Sequence, residues 1–140
     1  MNKTFVLSVV AVFVMSMILG YVVHHVLLGA EYAKVMQLFR LPRDAEALFP
    51  LMIVANVILA IGWTWIYRMG RENKPWLGQG IRFGIAVALI CTIPMYLIYY
   101  VVQPYPSDLV ALQIVYDTIG SVILGIVVAV VNRDPLPARA

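Results

Sequence analysis

Five polar side chains lie within long apolar stretches of the sequence: His24, Asn56, Thr92, Tyr96 and Asp117. Asp117 is the one carboxylate in these stretches, and an ionisable residue inside a membrane span marks a functional candidate. His24 adds a group that titrates near neutral pH. Together, these side chains suit the transfer of a proton or a cation. The alternative is a protonated Asp117 that only forms hydrogen bonds between helices.

The histidines do not form a metal-binding pattern. His24 and His25 are adjacent, so on a helix they point about 100° apart, whereas a chelating pair is spaced i, i+4. A haem held by two histidines needs one on each of two facing helices, and only the first apolar stretch has any. We therefore predict no metal and no cofactor.

Motifs typical of enzymes are also missing from the sequence. It has no Gly-Lys-Ser/Thr phosphate loop, no Gly-x-Ser-x-Gly elbow and no His-Glu-x-x-His pair. The glycines between Gly78 and Gly84 follow no strand and lead into an apolar stretch, so we interpret them as the start of a membrane helix. We predict that the protein is not an enzyme.

The elements that must position these residues are membrane helices. Hydrophobic residues make up 63% of the sequence and charged residues 12%, whereas soluble domains are about 25% charged. A helix of about 20 residues crosses the ~30 Å hydrocarbon core. The sequence predicts an all-α membrane protein, an antiparallel bundle of four transmembrane helices in one domain over residues 1–140. The predicted spans are residues 5–29, 48–67, 83–102 and 109–131.

The segments outside the spans give three further expectations. Residues 31–41 carry apolar side chains at helical spacing, which predicts a short amphipathic helix in the first outer loop, or an ordinary connecting helix with a packed face. The tail, residues 132–140, contains two prolines and is predicted to be disordered. The first apolar stretch is longer than that of a signal peptide, so we expect it to stay uncleaved.

The distribution of positive charge predicts the orientation in the membrane. Seven of the ten Lys and Arg residues lie in the N-terminus, the second loop and the tail. Because cytoplasmic segments carry an excess of Lys and Arg, both termini are predicted to be cytoplasmic, in a multi-pass protein of the bacterial inner membrane. Membrane topology and anionic lipid account for the positive charge, so we predict no nucleic-acid partner.

Small or polar residues recur four positions apart in the predicted spans and therefore share one helical face. In lipid, helices associate through close packing on small residues and through interhelical hydrogen bonds. We predict that these rows face the inside of the bundle, and that the five polar side chains converge in its outer half. The predicted packing residues are Ser16, Gly20, Gly80, Gly84, Ala88, Ser121, Gly125 and Ala129.

Three functions fit these features. The leading hypothesis is a non-enzymatic membrane protein that acts through helix contacts, as an accessory or assembly subunit of a membrane complex or as a homo-oligomer. Its partners would be the lipid bilayer and other membrane subunits or a second copy. The alternative is a small proton-coupled transporter or channel that uses Asp117 with His24 and Asn56. The third is a protein that binds lipid, quinone or haem.

Overall fold

Four long apolar helices dominate the protein. The computed structural model describes residues 2–133, and all regular elements in that range are helical. Four of these helices are long and apolar enough to cross a membrane: Lys3–Leu27, Phe49–Gly70, Trp76–Val102 and Ser107–Val131. We call them the first to fourth spans. The prediction of an all-α fold with four helices long and apolar enough to cross a membrane is confirmed.

The third span begins earlier than its apolar composition indicates. It starts at Trp76, directly after Pro75, whereas the predicted start was residue 83. The turns before residue 83 contain Gln79 and Arg82, and their polar side chains are not typical of a membrane span. A helix can extend beyond the hydrocarbon core, because only its lipid-facing turns need to be apolar.

The spans pack in an order that differs from their order along the chain. The first span contacts the second and the fourth, and the third packs along the fourth. Near the start of the first span, the hydroxyl oxygen of Ser8 accepts a hydrogen bond of 2.7 Å from Nδ2 of Asn132, which lies at the end of the fourth span. First and fourth spans are therefore antiparallel, around a buried cluster that includes Val12, Leu124 and Val128.

Glycines bring the third and fourth spans into backbone contact. A Cβ added to Gly80 would lie 2.7 Å from the carbonyl oxygen of Gly125, and one added to Gly84 would lie 2.5 Å from that of Ser121. A Cβ on Gly125 would collide with the carbonyl of Gly80. Because no side chain separates the helices here, the two backbones touch, as small residues allow in membrane helix pairs.

Two spans contain wide helical turns. Residues Tyr21–Leu27 and Ala88–Thr92 form π-helix, in which the backbone hydrogen bond reaches five residues back. Pro94 lies two residues after the second of these segments, and its missing N–H cannot bond to the carbonyl one turn earlier. Such turns change the direction of the side chains that follow, and they are frequent at functional sites.

The first loop contains three short helical segments, Gly29–Ala33, Met36–Leu38 and Pro42–Ala47, in place of one continuous helix over residues 31–41. Apolar side chains of the loop pack onto the ends of the first and fourth spans, where Val23, Leu28, Val35 and Leu109 are buried together. The loop thus closes one end of the helices. We call this end, with the first and third loops, the first-loop end, and the opposite one the second-loop end.

The described part of the chain ends at Arg133, two residues after the fourth span. Asn132 belongs to the predicted disordered tail, yet it is 4% exposed and hydrogen-bonded to Ser8 and to the carbonyl of Val128. The other tail residues, 134–140, lie outside the described residues.

Candidate intramembrane polar site

A carboxylate and an imidazole meet between three spans. Asp117 lies near the middle of the fourth span, and its Oδ1 is 3.5 Å from Nε2 of His24 on the first span. Its other oxygen, Oδ2, accepts a hydrogen bond from the hydroxyl of Tyr96 on the third span. The structure therefore brings together three of the five polar residues singled out in the sequence, around the carboxylate of Asp117.

The contact continues from His24 into the first loop. Nδ1 of His24 lies 2.8 Å from the hydroxyl oxygen of Tyr32, and this oxygen accepts a hydrogen bond of 3.0 Å from Nε2 of Gln113. Since Gln113 donates to that oxygen, the Tyr32 hydrogen is free to donate to Nδ1 of His24. The neutral imidazole then carries its own hydrogen on Nε2, the nitrogen that faces Asp117.

The resulting chain of hydrogen-bonding groups runs from Gln113 through Tyr32 and His24 to Asp117. Burial raises the pKa of the Tyr32 phenol above its ordinary value, and the hydrogen bond from Gln113 opposes that shift in part. Tyr32 therefore keeps its proton at neutral pH. It can act as both donor and acceptor beside the imidazole of His24.

Polar residues of the fourth span are paired one after another with other elements. Gln113, Asp117 and Ser121 lie four residues apart and so share one face. Gln113 reaches Tyr32, Asp117 reaches His24 and Tyr96, and the Ser121 hydroxyl lies 3.2 Å from that of Thr92. Thr92, on the third span, thus contacts this row one turn away from Asp117, and it forms no hydrogen bond with the carboxylate among residues 2–133.

The His24–Asp117 pair is only partly enclosed. The side chains of His24 and Asp117 remain 39% and 23% exposed. Gln113 is 6% exposed, and its Oε1 is buried without a hydrogen-bond partner among the described residues. The His24–Asp117 end of this series of hydrogen-bonding groups is therefore accessible from outside the helices. The opposite end is the buried amide of Gln113.

Asn56 lies apart from this group. Its Oδ1 accepts a hydrogen bond of 2.9 Å from the hydroxyl of Ser16, and its Nδ2 donates to the carbonyl of Met52. Asn56 and Ser16 thus join the first and second spans. The sequence placed Asn56 at a similar depth to His24, but depth does not decide which neighbouring helix a side chain faces.

The predicted packing residues divide into two groups. Gly80, Gly84, Ser121, Gly125 and Ala129 lie where the third and fourth spans touch, and Ala88 is 1% exposed. At Gly20, by contrast, an added Cβ would meet no atom of the described chain within 4 Å beyond its own turn of helix.

Two members of the site, Tyr32 and Gln113, were not assigned to it from the sequence. Tyr32 lies within residues 31–41, the segment predicted as a loop helix, and Gln113 lies within the fourth predicted span, residues 109–131. The sequence did contain a signal for both, since a hydroxyl or an amide that becomes buried must find a partner. Which partner it finds depends on how the loop folds back, and this cannot be read from spacing.

The site does not resemble a metal centre. Among residues 2–133, no three His, Cys, Asp or Glu side chains are grouped closely enough to hold a metal ion. The groups that do meet are one carboxylate, one imidazole and phenols, all of which can exchange or orient a proton.

The fold and the site define a polytopic membrane protein with an ionisable group inside its helices. Residues 7–129 match a family described as "Protein of unknown function (DUF1761)", and the chain belongs to this family. The matched range includes His24, Tyr32, Tyr96, Gln113 and Asp117. Neither the curated proteins nor the solved structures include a match to the chain.

Proposed function

We propose that the protein is a small, non-enzymatic, proton-coupled transporter or channel that works through the His24–Asp117 pair. The observation that carries this proposal is the pair itself, a partly exposed imidazole 3.5 Å from an intramembrane carboxylate. Ionisable side chains within a membrane are costly, and those that occur typically mark ion or proton pathways. Here two such groups share one site with two phenols.

The charge states of the pair explain how it could couple a proton to a second event. With one proton, the pair is neutral overall, either as imidazole and carboxylic acid or as imidazolium and carboxylate. Without that proton it carries one negative charge, which is unfavourable at low dielectric. Loss of the proton therefore favours uptake of another cation, or a rearrangement that admits one.

Tyr96 and Tyr32 hold the two groups in place. Tyr96 donates to the carboxylate oxygen that does not face His24 and so orients the carboxyl group of Asp117. Tyr32 contacts Nδ1 of His24 and thereby sets which ring nitrogen faces the carboxylate. Both phenols thus orient the proton-carrying atoms without having to lose their own protons.

Asp117→Asn tests the proposal. Asparagine is nearly isosteric and still forms hydrogen bonds, but it cannot gain or lose a proton. We expect a folded protein that no longer moves protons into liposomes loaded with a pH-sensitive dye. His24→Gln should retain a flux whose pH dependence near neutrality is changed. The matched control is Asp108→Asn, since Asp108 is an exposed carboxylate in the first turn of the same span.

A flux that is unchanged in Asp117→Asn would overturn the proton-coupled function. It would leave the helix-contact function, in which Asp117 serves only as a hydrogen-bonding group that asparagine replaces.

The helix-contact function remains a second proposal, supported by two glycines that the chain itself leaves uncovered. A Cβ at Gly20 or Gly62 would have no described atom within 4 Å beyond its own turn of helix. Gly80, Gly84 and Gly125 cannot serve such a partner, because the third and fourth spans already use them on each other. Under this proposal, Gly20→Leu or Gly62→Leu disrupts a complex or homo-oligomer seen by cross-linking in membranes, whereas Asp117→Asn preserves it.

A further inference from the structure

A basic groove lies at the second-loop end, between the end of the second span and the start of the third. Its volume is about 340 Å³. Three cationic side chains line it, namely Arg71, Lys74 and Arg82, together with the single carboxylate of Glu72. The lining therefore carries a net charge of +2, three positive charges against one negative charge.

The three cationic side chains differ in whether they already have a partner among residues 2–133. Lys74 forms an ion pair with Glu72, and Arg71 donates a hydrogen bond to the carbonyl of Asn132 at the end of the fourth span. Arg82 forms neither a hydrogen bond nor an ion pair with any of residues 2–133. The lysine and both arginines also lower the cost of a further anion in the groove, since Glu72 balances only one of them.

The loop around the groove is held in a fixed shape. The side chain of Gln79 donates to the carbonyls of Glu72 and Lys74, at 2.9 and 2.7 Å, and accepts from the backbone N–H of Glu72 at 2.7 Å. One amide thus ties the start of the third span to the connecting loop at three points. The loop that carries Arg71 and Lys74 is thus ordered beside the groove before any ligand arrives, which reduces the ordering cost of binding.

The other side of the groove is apolar. Ile66, Tyr67 and Phe83 line it, and the Tyr67 and Phe83 rings pack edge to face with centroids 5.4 Å apart. Ile66 is 56% exposed, on a span that faces lipid. A free phosphate would make no use of this wall, whereas the acyl chain and glycerol of a phospholipid would lie along it.

We propose that this groove binds the headgroup of an anionic phospholipid, with the phosphate among Lys74, Arg71 and Arg82 and the chain along Ile66 and Phe83. Basic pockets at the ends of membrane helices recognise such headgroups through charge, and each Lys or Arg near the membrane surface contributes about 1 kcal/mol of attraction, or roughly fivefold in binding. The groove is separate from the His24–Asp117 site, which lies toward the first-loop end.

Native mass spectrometry of the purified full chain tests this binding, with phosphatidylglycerol and phosphatidylcholine as probes. We expect phosphatidylglycerol to be retained about fivefold or more in preference to phosphatidylcholine. Lys74→Gln and Arg82→Gln should each lower its retention about fivefold. Glu72→Gln should act in the opposite direction, because it removes the negative charge and releases Lys74 for the headgroup.

Arg43→Gln is the matched control, since it removes a cation from the first loop, at the other end of the spans. It should leave retention unchanged. Equal retention of the two lipids would overturn the proposal, and so would equal losses in Arg43→Gln and Arg82→Gln. Displacement of the lipid by millimolar inorganic phosphate would show that the groove recognises phosphate alone, which also contradicts a lipid site.

Discussion

Gly84→Ala tests the close contact between the third and fourth spans with the smallest possible change. The new Cβ would lie 2.5 Å from the carbonyl oxygen of Ser121 and equally near the Cα of Val122. Both neighbours are backbone atoms, which cannot rotate away as a flexible side chain could. Ordinary contacts of a Cβ begin at 3.4 Å, so the helices must separate by the difference from 2.5 Å, about 0.9 Å.

This displacement affects the neighbouring contacts as well. The Ser121 hydroxyl lies 3.2 Å from that of Thr92 and would lose that hydrogen bond if the fourth span moved outward. Gly80 and Gly125 would lose their backbone contact on the same face. Overpacking of this kind typically costs ~1–3 kcal/mol. For a chain of this size, that cost lowers the melting temperature by roughly 3–12 °C.

The assay is thermal unfolding in mild detergent, and Gly62→Ala provides the matched control. Gly62 is also inside a span, but a Cβ there would meet no atom of the described chain within 4 Å beyond its own turn. Since alanine favours a helix over glycine by up to about 1 kcal/mol, Gly62→Ala should melt at or above the wild-type temperature. A Gly84→Ala protein that melts with the wild type would refute the close packing of the two spans, and Gly84→Leu should be worse than alanine.

Three other predictions concern the ends of the helices. A reporter fused to the C-terminus should be active only if it works in the cytoplasm, and activity of a reporter that requires export would contradict the predicted orientation. A double-mutant cycle of Ser8→Ala and Asn132→Ala should give a coupling of ~0.5–1.5 kcal/mol, because their hydrogen bond joins two spans; additive effects would rule that bond out. The ion pair with Lys74 lowers the pKa of Glu72. The ion pair therefore stabilises the folded protein at pH values above the ordinary glutamate pKa of about 4.3, and this stabilisation is lost as the pH falls through the lowered pKa of Glu72. An NMR titration should show the Glu72 pKa rising in Lys74→Gln, and an unchanged value would exclude the pair.

The residues of the site were only partly predictable. His24, Tyr96 and Asp117 stood out because a polar group in an apolar stretch is rare, and helical spacing placed them at related depths. Asn56 stood out for the same reason, but it bonds to Ser16 of the first span and not to His24 or Asp117. Spacing along one helix gives a depth and a face, and it contains no information about which neighbouring helix that face meets.

Tyr32 also shows that spacing along the sequence does not identify the partner of a side chain. In sequence it belongs to a loop with apolar side chains at helical spacing, and nothing nearby marks it as a partner of His24. Its hydroxyl reaches the site because the first loop breaks into short segments and folds over the ends of two spans. Burial of aromatic side chains likewise depends on the neighbouring helix, since Trp63 and Tyr67 are 8% and 4% exposed and pack against Phe83.

The sequence by itself determined that the protein has four membrane helices. An apolar stretch of about 20 residues is long enough to cross the lipid. Since lipid offers no hydrogen-bond partners, the backbone of such a stretch must form its hydrogen bonds internally, as a helix. It also determined that an unusual carboxylate, Asp117, lies within one of them. The tertiary structure alone decided that the third span packs on the fourth, that π-helical turns accompany the polar residues, and that His24 faces Asp117. These outcomes depend on how the small side chains of one helix fit against those of another. A sequence pattern describes the surface of one helix at a time, so it does not determine which two surfaces fit together.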